Sequence, residues 1–338
     1  MGDDDFDPER KERELLAEAS SWDTTSPVDA APGDIPIVDV GPWFATGSAS
    51  DLRRAAADLR HACERVGFHF LVGHGIEHAF PEILHHAARF HALPIETKMT
   101  IEMDRPEWPL GGVGYLPVGE RKLPRRTYGN TNEAFLMKGG ADIAPSDNQW
   151  LAEPALPGFR VGVEAYADEI VALAKRLLPL YASALDLDSD FFEAAFRDPF
   201  WRLRLTHFDP EAAKSGPEGA HGLAPHVDTT FFTLLLQDSP GLRIYSAERG
   251  QWINAPVIED SLVVNSGELL RQWSNDRFLS TRHFADVDGS SSRYSVPLFF
   301  NANEHYPMEC LPSCHGPGNP PRYPTISYAE SQAVAQGE

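Results

Sequence analysis

The sequence predicts a mainly β protein with flanking helices, whose core is a sandwich or jelly roll. From residue 201 onward, short runs rich in β-branched and aromatic residues alternate with turn residues, which is typical of these folds. Before that point, apolar residues recur at helical spacing in several segments. A chain of 338 residues with 42% hydrophobic residues is long enough to bury a sizeable core in a single domain.

The N-terminal part of the chain predicts a tail followed by strands and helices. Residues 1–33 are acidic and polar, and we expect a mobile tail with one short helix at "PERKERELLAEAS". Order is expected from "IPIVDV", a short apolar strand signal. "SASDLRRAAADLRHACERVG" has a Ser/Asp N-cap candidate, helical apolar spacing and a terminal glycine, so it predicts a helix. "FHFLVGHG" alternates like a strand, and "AFPEILHHAARFHALP" predicts a second helix.

The middle of the chain predicts loops and then a long helix. Residues 104–160 are rich in Gly, Pro and Asn, and we expect loops and short strands there. "VEAYADEIVALAKRLLPLYASAL" has the longest helical pattern in the chain. We therefore expect an N-terminal helical and strand segment over 34–160 and a β core over 161–330, which together form one structural unit.

Composition and charge argue against several classes of partner and location. The net charge of −21 disfavours nucleic acid and anionic membranes as partners, because like charges repel. No apolar stretch approaches the roughly 20 residues of a membrane span, and no apolar signal-peptide centre follows Met1. The cysteines, Cys63, Cys310 and Cys314, make no disulfide framework, which favours a reducing cytoplasm. Cys310 and Cys314 fit no strong zinc pattern, so a loop is the preferred interpretation of the stretch that contains them.

The stretch "GLAPHVDTTFFTLLLQD" contains two candidate metal ligands. Residues i and i+2 of a strand point to the same face, so His226 and Asp228 are expected to project together. His283, at the start of a later β-rich run, is the candidate third ligand, with His305 as the alternative. Two histidines and one carboxylate form the facial triad of non-haem Fe(II) sites. These residue types also suit zinc, manganese or cobalt, and a surface His–Asp pair is the alternative explanation of the tripeptide.

The run "RYSVPLFF" contains a candidate anion clamp. Arg293 and Ser295 share a face of the predicted strand, where a guanidinium group and a hydroxyl can bind one carboxylate together. An arginine in an apolar strand is costly to bury without an anion, although a protein carboxylate could also be its partner. A metal triad together with this clamp describes a site for a keto acid that chelates iron.

These residues resemble the iron(II)- and 2-oxoglutarate-dependent dioxygenases of the isopenicillin N synthase-like family. The resemblance extends over nearly the whole chain from about residue 34 and includes "CERVGFHFLVGHGI", "ALPIETKM", "GGVGYLPVGER" and "VVNSGELLRQWSNDRFLSTRHFA". "NQWLAEPALPGFR" is also similar, with Leu151 where the family usually has proline. The resemblance implies a double-stranded β-helix (jelly-roll) core and the use of Fe(II), 2-oxoglutarate and O2.

The resemblance also implies roles for individual residues. His226, Asp228 and His283 match the family's iron ligands, and Arg293 and Ser295 match its clamp for the distal carboxylate of 2-oxoglutarate. Because Asp228 supplies a carboxylate at the second iron-ligand position of the family, the resemblance disfavours a halogenating enzyme.

Two further positions of the expected co-substrate site depart from the family pattern. Thr206 replaces an asparagine, and Phe208 replaces a tyrosine whose hydroxyl often helps to hold the keto acid. Phe284 also stands where an arginine is common after the ligand histidine.

The implied activity is oxidation of an unactivated C–H bond of a small molecule, by hydroxylation or by desaturation or cyclisation, with release of succinate and CO2. No protein nucleophile or general base is required. Alternatives are an isopenicillin N synthase-like oxidase without 2-oxoglutarate, a non-catalytic jelly-roll binding protein and an unrelated zinc hydrolase. Each candidate substrate residue also has a structural interpretation; the candidates are Arg204, Asn132, Glu133, Phe135 and Phe232.

Overall fold

The N-terminal strands join the body of the protein earlier than the sequence predicts. The computed structural model describes residues 26–106, 110–119, 129–217, 220–287 and 291–336. The expected helix at 8–20 lies outside the described residues. Strand β1 (Val28–Asp29) pairs in parallel with residues 253–254, so the expectation of an unstructured tail up to residue 33 is wrong for these residues. Backbone pairing with residues 253–254 holds this part of the chain. So short a polar segment has no sequence pattern that would predict a strand.

Helices flank the β core and form where apolar residues recur at helical spacing. Their bounds are α1 Gly41–Thr46, α2 Ala49–Arg65, α3 Phe80–His91, α4 Ile95–Lys98, α5 Phe159–Ala184, α6 Pro210–Ser215, α7 Glu268–Trp273 and α8 Tyr328–Gln336. The helices predicted from the sequence are confirmed at α2, α3 and α5. Ser48 caps α2 by accepting a hydrogen bond from the Asp51 amide, as the N-cap signal predicts. Within the described residues, no helix combines the length and apolar composition that a membrane span requires.

Two sheets form the jelly-roll core. The strands after β1 are β2 Ile37–Asp39, β3 Phe68–Val72, β4 Gly114–Leu116, β5 Asn132–Gly139, β6 Trp201–Phe208, β7 Leu223–His226, β8 Phe232–Gln237, β9 Leu242–Ser246, β10 Gln251–Asn254, β11 Leu262–Ser266, β12 His283–Ala285 and β13 Arg293–Phe300. The larger sheet has the order β2-β3-β11-β8-β13-β6-β5-β4, and the smaller has the order β1-β10-β9-β12-β7. Because β2 and β3 pair into the larger sheet, the N-terminal segment shares a sheet with the core strands.

The larger sheet has a helix-covered face and a face that looks into a cavity between the sheets. Along β6, Leu203 and Leu205 join the main hydrophobic core with residues of α3 and α5, whereas Arg204, Thr206 and Phe208 line the cavity. This alternation follows from the two-residue period of a strand. The cavity wall is therefore built from alternate residues of the central strands.

Three of the candidate substrate residues lie on the helix-covered face, so the expectation that they line the substrate pocket is wrong. Phe135 packs with its ring centroid 5.3 Å from Phe90 and 5.1 Å from Phe159. Glu133, two residues earlier on β5, lies on the same face as Phe135. Phe232 stacks on Tyr181, with centroids 4.8 Å apart. Strand register decides the face, and a shift of one residue would have reversed it.

We expect Phe232→Ala to lower the free energy of unfolding by about 3–5 kcal/mol, because it empties a fully buried ring site in the core. Chemical denaturation measures this change. Val161→Ala, at a residue that is 70% exposed, is the control and should stay within about 0.5 kcal/mol of the wild type. A Phe232→Ala protein of unchanged stability but altered ligand binding would contradict the core placement and show that Phe232 lines the substrate pocket.

Candidate active site

Two neighbouring strands of the smaller sheet bring the candidate histidine ligands together. His226 is the last residue of β7, His283 is the first of β12, and the two residues are paired across the antiparallel strands. Their imidazole centroids are 4.4 Å apart. Asp228 lies beyond the end of β7, so the expectation that it shares a strand with His226 is wrong. The segment between β7 and β8 brings the carboxylate back toward the histidines, and the Asp228 carbonyl accepts a hydrogen bond of 2.7 Å from the Glu268 amide.

The three side chains converge on a common point. Asp228 Oδ1 lies 3.4 Å from His226 Nε2 and 3.8 Å from His283 Nε2. Bonds from a divalent metal to nitrogen or oxygen are about 2.0–2.2 Å long, so atoms at these separations can share one ion. The structure therefore brings together the three residues that the sequence proposes as ligands.

Hydrogen bonds orient each of these groups. His226 Nδ1 lies 2.8 Å from the Ala224 carbonyl oxygen, and His283 Nδ1 lies 3.2 Å from the Thr281 carbonyl oxygen. A carbonyl oxygen only accepts, so each Nδ1 donates, and in the neutral ring the Nε2 lone pair is directed toward the shared point.

The Asp228 carboxylate is held in the same manner. Its Oδ2 accepts hydrogen bonds from Thr233 Oγ1 at 2.7 Å and from Asn265 Nδ2 at 2.9 Å, which leaves Oδ1 facing the histidines. Asn265 and Thr233 were missed by sequence reasoning. The available signal was a polar residue inside each of the apolar runs "TFFTLLL" and "SLVVNSG".

The electrostatics of the site favour a divalent cation. Burial, together with the nearby His226, lowers the pKa of His283 to about 4, so this imidazole is neutral near pH 7. Burial opposes ionisation of Asp228, but His283, His226 and the hydrogen bond from Asn265 outweigh it and hold the pKa of the carboxyl well below its usual range. The donor set thus presents an ionised carboxylate and imidazole nitrogens, which fits a ferrous ion.

The candidate clamp lies in the same cavity as the triad. Arg293 and Ser295 lie on the cavity face of β13, where they pair with Phe208 and Thr206 of β6. The Arg293 guanidinium group lies 4.6 Å from the centroid of the Phe208 ring, a cation–π contact. The structure thus brings all four of these expected co-substrate residues to one end of the β6–β13 pair.

Two further contacts fix the Arg293 side chain. Its Nη2 donates to Gln237 Oε1 at 3.1 Å, and its Nε donates to the Ser239 carbonyl oxygen at 3.2 Å. An alanine methyl group at Gly241, where φ is +143°, would lie 2.8 Å from Arg293 Cδ. The glycine therefore allows the backbone to pack closely against the arginine. Gln237 and Gly241 were not singled out from the sequence.

Two of the candidate substrate residues lie on the cavity side of the sheet. Arg204 lines the cavity, and its Nη2 donates a hydrogen bond of 2.9 Å to Asn132 Oδ1 on the adjacent strand β5. Both side chains are buried. The other three candidates face the helices, as described above.

Comparisons with known proteins agree with this arrangement. The family model described as the 2OG-Fe(II) oxygenase superfamily matches residues 202–302, and the model described as "non-haem dioxygenase in morphine synthesis N-terminal" matches residues 35–153. The 2-oxoglutarate-Fe(II) type oxidoreductase hxnY of Emericella nidulans is 30% identical over 88% of this chain and 88% of its own. Kihadalactone A synthase LFS of Citrus sinensis is 30% identical over 82% of this chain and 85% of its own.

Solved structures of two other proteins superpose closely on this chain. A full-length Neurospora crassa protein, solved in complex with alpha-KG and thymine, superposes with a TM-score of 0.78 at 27% identity and covers 91% of this chain and 99% of its own. A putative 2OG-Fe(II) oxygenase family protein from Caulobacter crescentus superposes with a TM-score of 0.74 at 27% identity, over 90% of this chain and 99% of its own. The chain belongs to the 2-oxoglutarate- and Fe(II)-dependent oxygenase family.

Family membership establishes the class of enzyme and its cofactors. The protein is an oxidoreductase that uses Fe(II), 2-oxoglutarate and O2 to oxidise a small-molecule substrate. The comparisons give no support to the alternatives of an oxidase without 2-oxoglutarate or a non-catalytic binding protein.

We expect Asn265→Ala to weaken metal binding by about 10- to 100-fold, because the substitution removes a hydrogen bond that orients the Asp228 carboxylate. Calorimetric titration of the apoprotein with Mn²⁺ measures the affinity. Asn254→Ala is a matched control, since Asn254 Nδ2 also donates to an aspartate, Asp29, but at the edge of the smaller sheet. Equal affinities of the two variants would contradict the proposed geometry.

Proposed function

We propose that His226, Asp228 and His283 bind the ferrous ion, and that Arg293 and Ser295 bind the distal carboxylate of 2-oxoglutarate. The observation that carries this proposal is the placement of a buried arginine and a hydroxyl in the cavity that contains the triad. The iron, with bound 2-oxoglutarate and O2, would supply the oxidation of a substrate C–H bond with release of succinate and CO2. The chain itself would orient the reactants and exclude water.

The departures from the family pattern change how the clamp would work. Phe208 offers no hydroxyl to the keto acid, but its ring lies against the guanidinium group of Arg293. We infer that the ring limits the movement of the guanidinium group, so that its N–H groups face the carboxylate. Thr206 pairs with Ser295 across the strands and would add a second hydroxyl at the carboxylate.

Anaerobic titration of the Fe(II) protein with 2-oxoglutarate tests the clamp through the visible charge-transfer band of the chelate. We expect the wild type to develop the band and Arg293→Ala to require at least about 100-fold more 2-oxoglutarate, because a charge-assisted hydrogen-bond pair is lost. Arg160→Ala, at an exposed arginine paired with Glu164 on α5, should match the wild type. A normal titration of Arg293→Ala would contradict the clamp, and absence of the band in the wild type would contradict the whole site.

We propose further that the substrate presents a carboxylate or carbonyl oxygen to Arg204. This cation is buried in the cavity wall and bonded to Asn132, in the part of the wall beyond Thr206 and away from Arg293. A buried guanidinium group favours ligands that carry acceptor oxygens. The similar Neurospora crassa structure is described as a complex with thymine, a small ring that carries carbonyl oxygens, which supports a substrate of this chemistry.

We expect Arg204→Gln to weaken binding of acceptor-bearing substrates by about tenfold or more while the affinity for 2-oxoglutarate stays within about twofold. A thermal-shift screen with Mn²⁺ and 2-oxoglutarate present, using small acids and cyclic imides beside their hydrocarbon analogues, identifies the ligands. Arg176→Gln, at an exposed arginine on α5 that lies over the Phe44 ring, is the control. Ligands that bind Arg204→Gln as tightly as the wild type would refute the assignment.

We also propose that the protein is cytoplasmic and has neither nucleic acid nor membranes among its partners. The net charge of −21 supports an enzyme that binds neither nucleic acid nor anionic membranes, and the free cysteines among the described residues support a cytoplasmic location. Cell fractionation tests the location.

A further inference from the structure

A buried polar network lies on the far side of the larger sheet from the cavity. Its centre is Glu133 of β5, which was expected to contact substrate but faces the helices. The carboxylate accepts hydrogen bonds from Lys98 Nζ at 2.7 Å, from the Tyr115 hydroxyl and from His207 Nδ1 at 2.8 Å. His91 Nδ1 lies 3.3 Å from the same carboxylate. Four elements, α3, α4, β4 and β6, therefore meet at one buried anion.

The network reaches the back of the co-substrate site through His207. This residue lies between Thr206 and Phe208 on β6, so its side chain projects from the opposite face of the same short segment. His207 Nε2 lies 3.0 Å from Ser292 Oγ, directly before β13 begins. Its ring stacks on Tyr294, with centroids 4.9 Å apart and planes at 14°. The ring thus ties the end of β6 to the start of β13.

The direct backbone ladder between β6 and β13 is interrupted next to this end, although β6 pairs with β5 along its whole length and β13 pairs with β8 from Ser295 onward. Residues 293–295 pair with 208–206 and residues 298–300 pair with 203–201, but no pair forms between them at Val296 and Pro297. Proline has no N–H to donate, which explains an interruption inside a central strand. The three pairs that carry the clamp are therefore separated from the rest of the β6–β13 ladder, and the His207 contacts with Ser292 and Tyr294 connect the two strands directly beside them.

A metal ion is the competing explanation of this cluster, because His91, Glu133 and His207 offer ligand atoms within 4.8 Å of one another. The contacts favour the hydrogen-bonded network. The Lys98 ammonium group already balances the Glu133 charge at 2.7 Å, and a divalent cation beside it would leave a buried excess of positive charge.

We propose that Glu133 is a positioning residue for 2-oxoglutarate, which it never touches. By holding His207, it fixes the end of β6 and the start of β13 in the register at which Arg293, Ser295, Thr206 and the Phe208 ring meet one carboxylate. This inference rests on the proposed clamp, and it concerns the affinity for the keto acid rather than the chemical step.

The test is Glu133→Gln, which keeps the size of the side chain and removes the charge. The dissociation constant for 2-oxoglutarate, measured anaerobically by the charge-transfer band and by calorimetry on the Mn²⁺ form, should rise about five- to twentyfold. The Mn²⁺ affinity should stay within about twofold, as should kcat at saturating 2-oxoglutarate. An unchanged 2-oxoglutarate affinity would overturn the proposal.

Two controls separate positioning from a general loss of stability. Glu64→Gln removes an ion pair between α2 and Arg277 that includes no residue of the Glu133 network, and it should leave 2-oxoglutarate binding unchanged. Ile170→Val, in the core of α5, lowers stability without touching the network. If Ile170→Val weakens 2-oxoglutarate binding as much as Glu133→Gln does, the effect is structural and the proposal fails.

Ser292→Ala provides a second test if Glu133→Gln does not fold. It removes only the hydroxyl that meets His207, and the 2-oxoglutarate dissociation constant should rise about two- to fivefold; no change would refute the proposal. A second equivalent of bound metal that Glu133→Gln abolishes would also refute it, in favour of a metal site. Retention of 2-oxoglutarate binding in Arg293→Ala would instead contradict the clamp itself, which distinguishes the two failures.

Discussion

The alternation of side chains along β6 and β13 is the constraint on which the rest of the structure depends. Each strand presents the residues of the co-substrate site to the cavity and core or network residues to the helices, so a single register decides both environments. Arg293 and Ser295 can meet Thr206 and Phe208 only because the strands pair at these residues. The same pairing places His207 beside Tyr294 on the opposite face. The co-substrate site and the network around His207 thus lie on opposite faces of the same two strands.

The buried carboxylates on the cavity face and on the helix face of the structure have different partners. On the cavity face, the carboxylate of Asp228 is held by Thr233 and Asn265 through one oxygen, while the other oxygen faces two imidazoles. This half-satisfied arrangement suits a cation that arrives from solution. On the helix face, Glu133 receives donors at both carboxylate oxygens from within the protein. A closed network of this kind gives rigidity, whereas the open arrangement gives binding.

The comparison of these two His/carboxylate clusters also explains why residue type alone is a poor guide to a metal site. Each contains two histidines and one carboxylate within 4.8 Å. An ammonium group, Lys98, lies at one of them, while at the other the neighbouring donors are a hydroxyl and an amide of neutral side chains. The charge of the surroundings therefore favours a cation at His226, Asp228 and His283.

The sequence by itself determined the longer helices α2, α3 and α5, the β-rich C-terminal part and the candidate metal and clamp residues of the cavity. Local periodicity and capping are enough for α2 and α5, and the ordered motifs around His226, His283 and Arg293 are specific enough to indicate the enzyme family. The tertiary structure alone decided that Asp228 lies beyond the end of β7, that Glu133, Phe135 and Phe232 face the helices, and that Asn265 and Gln237 hold the site residues. The reason is that strand register and turn geometry are set by partners distant in the chain, and a one-residue shift exchanges the two faces of a strand without any change in local pattern.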